Sequence, residues 1–105
     1  MSTPLPIACS LTAADLESRM AELRALGGDG LVSVSETPGR AVLRFRPGAD
    51  IRKRVEAAAA AEAECCAFLD LRVAHDARAT TLTISAPNGG AEVVGELTAL
   101  FSGLR

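Results

Sequence analysis

The stretch LVSVSETPGRAVLRFR (residues 31–46) decides the fold class. Val32 and Val34 alternate with Ser33 and Ser35, and Leu43 and Phe45 alternate with Arg44 and Arg46. Each run therefore puts its apolar side chains on one face, at the two-residue period of a strand. TPGR between the runs supplies the residues of a turn, so the stretch predicts a hairpin. The pattern returns downstream. LRVAH places Leu71 and Val73 on one face, TLTIS places Leu82 and Ile84 there, and Asp76-Ala77 turns between them. Four short strands, each with a single apolar face, predict an antiparallel sheet.

Helical patterns surround the hairpins. Thr12 is a good N-cap, Asp15 sits at N3 where its charge suits the helix dipole, and Leu11 and Leu16 are spaced as a hydrophobic staple. Leu16, Met20, Leu23 and Leu26 make an apolar stripe that Gly27-Gly28 is expected to end. PGAD breaks the first hairpin, and Asp50 caps a second helix running from about Ile51 to about Leu69. APNGG precedes a last helix with Val93, Val94, Leu97, Leu100, Phe101 and Leu104 on one side. PIACS would add a short strand near the N-terminus. The expected fold is α+β: a two-layer sandwich, helix-hairpin-helix-hairpin-helix, with an antiparallel four-stranded sheet and the helices on one face. The turns at Pro38-Gly39 and Asp76-Ala77 suggest a loose αββ duplication.

Composition narrows the function classes. The 105 residues make one domain, 1–105, with 49% hydrophobic and 23% charged residues. There is no Trp or Tyr, so the core is aliphatic, with Phe45, Phe68 and Phe101 the aromatics. A net charge of −2 gives no global pull toward nucleic acid or anionic membrane. MSTPLPIACSL lacks the pattern of a signal peptide, and the longest apolar runs, Ala57–Ala61 and Cys65–Leu69, are far too short to span a bilayer. A cytoplasmic protein is expected, and three cysteines do not suggest a disulfide framework.

The second helix carries the candidate site. At about 100° per residue from Ile51, Val55 falls near 40°, Ala58 near −20° and Leu69 near 0°, which is the core stripe. Glu62 falls near 20°, Cys65 near −40° and Cys66 near 60° on the same wheel. A carboxylate on an apolar stripe needs a reason, because burying an unpaired charge is costly. It can pair with Arg54 or another arginine, hold a proton, or face a metal or cleft with the cysteines. Two adjacent thiols, with Cys9 approaching from ahead of the first helix, would suit a soft ion: Zn(II), Cu(I) or Hg(II). Glu62 could add an oxygen ligand to zinc. A vicinal disulfide within a helix is disfavoured, because neighbouring Cα atoms lie about 3.8 Å apart. There is no C-x-x-C, and free cysteine also serves as a small buried hydrophobe, so a core role for Cys9, Cys65 and Cys66 stays open.

Other features are plainer. The sheet face away from the core is expected to carry Ser33, Ser35, Arg44, Arg46, Arg72, Thr81 and Thr83, as a solvated or a docking face. It offers no aromatic ring for a base to stack on. Arg40, Arg44, Arg46, Arg52, Lys53 and Arg54 concentrate positive charge in one stretch, which could form a local anion patch. His75 belongs to a strand end or turn, and NGG and GGDG are turn glycines without the Lys-Ser/Thr of a phosphate loop.

The runs PIACSLTAADLESRMAELRAL, AEAECCAFLDLRV and TLTISAPNGGAEVVGELTALF resemble a bacterial small-domain family with an AECCAF helix motif. Its members stand alone or follow a MerR-type DNA-binding segment. The resemblance covers nearly the whole chain and implies an effector or metal-responsive domain, with Cys9, Cys65 and Cys66 as the residues carried over. The sequence has no helix-turn-helix segment of its own, so direct nucleic-acid binding is not implied. Three functional readings follow. The first is a module binding a soft metal ion or thiol-reactive ligand for sensing or sequestration. The second is a protein-interaction or homodimerisation module using the open sheet face, with structural cysteines. The third is a thiol enzyme, which requires a depressed cysteine pKa.

Overall fold

The computed structural model describes residues 13–65, 69–86 and 91–102. The fold is α+β, with three helices and an open four-stranded antiparallel sheet. In chain order these are α1 (Ala13–Gly30), β1 (Leu31–Thr37), β2 (Arg40–Phe45), α2 (Ala49–Cys65), β3 (Asp70–His75), β4 (Thr80–Ser85) and α3 (Ala91–Ser102). The sheet order is β1-β2-β4-β3, so the two hairpins meet at the β2–β4 seam, where Leu43 lies opposite Leu82.

Local chemistry accounts for the connections. Gly39 adopts φ +78° in the first turn, a conformation that L side chains rarely take. Gly48, with φ +135°, releases the chain into α2. Asp76 shapes the second turn, its Oδ1 accepting from the backbone N–H of Arg78 at 2.7 Å and of Ala79 at 3.0 Å.

The core lies between the sheet and the helices. Ala41, Leu43 and Phe45 of β2 and Thr80, Leu82 and Ile84 of β4 point into it, alternating with outward residues. Leu23 and Leu26 of α1, Ile51 and Val55 of α2, and Val93, Val94, Leu97, Leu100 and Phe101 of α3 close over them. Phe45 and Phe101 meet edge to face, ring centroids 5.7 Å apart at 73°. α2 packs on β3 and β4, α3 on β2 and β4, and α1 lies against α3 and α2.

Several expectations change. The first helix does not stop at Gly27-Gly28 but continues to Gly30. Neither glycine takes a positive φ. Gly27 is instead a crossing point, because a Cβ there would fall on the carbonyl oxygen of Phe101. The second helix is described from Ala49 to Cys65; residues 66–68 lie outside the described residues, and Leu69 is buried. Val32 and Val34 do not join the core. The β1–β2 register shifts between Leu31 and Ser33, and the two valines are 69% and 38% exposed. Arg46 is not an outer-face residue of β2. Its Nε donates to the carbonyl oxygen of Asp29 at 3.1 Å, and its backbone N–H donates to that of Gly30 at 2.7 Å. The expected cap Thr12, the staple residue Leu11, the strand at PIACS, Phe68 and Leu104 lie outside the described residues.

Candidate functional site

Helices α1 and α2 run antiparallel side by side. Arg19 meets Glu62 near one end, and Arg54 Nη1 donates to Asp29 Oδ2 at 2.9 Å toward the other. Gly30 approaches Ile51 beyond that. Between the helices is a groove of about 400 Å³. Leu23 and Leu26 line it from α1, and Ala57, Ala58 and Ala61 line it from α2. Alanines leave this space because a methyl group cannot reach across a helix–helix interface. Arg19 and Arg54 stand in the lining, each held by its carboxylate partner.

Glu62 is the buried carboxylate of this assembly, 1% exposed. Its Oε2 accepts from Arg19 Nη1 at 2.8 Å, while Oε1 has no hydrogen-bond partner among the described residues. Burial raises the carboxyl above its ordinary pKa, and the hydrogen bond and charge of Arg19 pull it partly back. The partner is Arg19 rather than Arg54, the arginine eight residues earlier on the same helix. Sequence reading anticipates an arginine but cannot choose one 43 residues away, since the pairing depends on how α1 lies on α2.

Cys65 is the last residue of α2, three positions after Glu62, and Cys9 and Cys66 lie outside the described residues. The antiparallel pairing brings the start of α1 and the end of α2 to the same end of the helix pair. Among the described residues no group of three His, Cys, Asp or Glu side chains is placed to hold a metal ion.

The remaining polar features are open. His75 ends β3 and is exposed, its Nε2 3.4 Å from Arg52 Nη1 beside a shallow cavity of about 300 Å³. On the outer sheet face the register aligns Ser33, Arg44 and Thr81 in one row and Ser35, Val42, Thr83 and Arg72 in the next. Sequence reading missed the α1–α2 groove. Its signal is the spacing of Arg54, Ala57, Ala58 and Ala61, small residues on one helical face beginning with a charge. No known protein family, curated protein or solved structure matches the chain.

Proposed function

We propose that the protein is a small thiol module that binds a soft metal ion or a thiol-reactive ligand where α1 begins and α2 ends. Cys65, Cys66 and Cys9 would supply the thiolates and Glu62 an oxygen. The observation that carries this reading is Glu62 itself. It is a buried carboxylate with one oxygen on Arg19 and the other without a partner among the described residues, one turn before Cys65. Thiolates select Zn(II), Cu(I) or Hg(II), and an oxygen donor completes a set only for zinc among these. The reading suits a reducing, cytoplasmic setting and a binding protein rather than an enzyme. The helices would form one layer of a two-layer sandwich, leaving the other sheet face for partners.

Native mass spectrometry of the reduced protein with one equivalent of Zn(II) or Hg(II), in excess glutathione, tests it. Retention of one ion, lost in the Cys65→Ala, Cys66→Ala double variant, supports the site. Complete transfer of the ion to glutathione removes it and leaves the cysteines as core residues.

A second reading, a protein-interaction module on the outer sheet face, is favoured by the exposed Ser33, Ser35, Arg44 and Arg72 there. A pull-down that loses its partner on Arg44→Glu would favour it over the thiol site.

A further inference from the structure

We propose that the free edge of β1 is a self-association surface, on which a second copy of this chain adds its own β1 antiparallel to form one continuous sheet. The inference goes beyond both readings above, since it uses neither the thiols nor the outer sheet face.

The two edges of the sheet differ in chemistry. β3 carries Asp70 and Arg72, and α2 packs on it. Charges of this kind protect an edge from pairing. β1 reads LVSVSET, with one charged residue, Glu36, and no Pro or Lys. It is exposed from Val32 to Thr37. The core stops short of it. Val34 lies opposite Leu43 and Glu36 opposite Ala41, and both β2 partners are fully buried while the β1 residues are not. Among the described residues, the two large hydrophobic side chains left exposed are Val32 and Val34, both on this strand. Among the described residues no strand pairs with the outer edge of β1, and a row of open backbone N–H and C=O groups beside exposed valines is a template for another strand.

The strand complements itself. Antiparallel pairing centred on Val34 sets Val34 against its own copy, Ser33 against Ser35, and Glu36 toward Val32. The two Glu36 carboxylates would then sit four residues apart along the strand direction, roughly 13 Å. That exceeds the ~8 Å screening length at physiological salt, so the only charge on the strand does not oppose pairing. The contact is isologous, as a two-fold dimer requires.

Sedimentation velocity of the full chain, from micromolar to near-millimolar concentration, tests this. A monomer–dimer equilibrium is expected. Val34→Lys would place like charges directly opposite and raise the dissociation constant by about tenfold or more. Arg44→Glu, on the outer face, would leave it unchanged. A second measurement does not depend on the lysine variant folding. In a Cys9→Ser, Cys65→Ser, Cys66→Ser background, Val34→Cys should be cross-linked to its copy by a short bis-maleimide, and Glu36→Cys should not. A chain that stays monomeric overturns the proposal, with the edge taken instead by residues 5–10 or by another protein. A dimer that Val34→Lys leaves intact, or in which Val34→Cys does not cross-link, overturns it as well.

Discussion

Arg19 Nη1 lies 2.8 Å from Oε2 of Glu62, joining the first turns of α1 to the last turn of α2 across an apolar interface. The arginine side chain is 21% exposed and the glutamate 2%, so the pair is open to water on one side only. Arg19→Met would strand the carboxylate. The cost should lie between the ~1–3 kcal/mol of an unsatisfied buried group and the ~3–5 kcal/mol of a broken buried pair. Glu62→Gln should cost less, because the amide oxygen can still accept from Arg19. Urea unfolding at neutral pH would rank the two variants, and equal losses would show that the charge of Glu62 is not what Arg19 offsets.

The same carboxyl sets a pH dependence. Its pKa is raised on folding, so its contribution to stability is complete below the unfolded-state value and is lost as pH rises through the folded one. From the ordinary glutamate range upward, the unfolding free energy of the wild type should therefore fall relative to Glu62→Gln. Asp50 and Asp76 act in the opposite sense at lower pH. Backbone N–H groups, of Ile51 for the first and of Arg78 and Ala79 for the second, hold them below the ordinary aspartate value. Their effect is common to both proteins, so the difference between the two pH profiles isolates Glu62. Parallel profiles would show that Glu62 titrates as it does in the unfolded chain.

Gly27 and Gly28 should respond oppositely to alanine. At Gly27 the new methyl would meet the backbone of Phe101, which cannot swing aside, so α1 and α3 must separate. A loss of ~3 kcal/mol is expected, at the upper end of overpacking costs. At Gly28 nothing lies within 4 Å, and alanine should stabilise the helix by ~0.5–1 kcal/mol. Thermal melts of the two variants shifted in the same direction would contradict this crossing geometry.

Leu43 and Leu82 face one another across the β2–β4 seam, both almost completely buried. Either one replaced by alanine should lose ~2–5 kcal/mol. As contacting residues they should not be additive, and a double-mutant cycle should return an interaction of ~0.5 kcal/mol or more. A cycle that closes to zero would mean that the side chains do not share a packing site.

Much of this architecture is legible in the sequence. The alternation in residues 40–45 and 80–85 gives β2 and β4 directly, because both strands are half buried and period two is enforced on every residue. β1 shows the limit of that rule. Its Val-Ser alternation is as clear as that of β2, yet neither valine is buried, because burial depends on whether a helix covers the strand. Gly27 is the converse case. Read locally, a Gly-Gly pair ends a helix, but here the absent side chain serves the approach of the Phe101 backbone from α3, far along the chain. For the site, the wheel correctly put Glu62 on the buried stripe, since a helical face follows from spacing alone. Its partner is a matter of tertiary placement, which spacing does not encode.

The seam between the hairpins also shapes how the chain can reach this structure. Each hairpin closes over a few residues, at TPGR or at the Asp76 turn, so its contacts form early and at little loop entropy. The β2–β4 ladder pairs Arg40 with Ser85 and Phe45 with Thr80, contacts between distant parts of the chain. Nothing local rewards bringing them together until α2 has formed and spans the gap. Joining the two halves is therefore expected to be the slow event, which stopped-flow refolding would show. Substitutions at Leu43 and Leu82 should slow refolding, whereas Gly27→Ala, at a crossing made after the halves meet, should chiefly hasten unfolding.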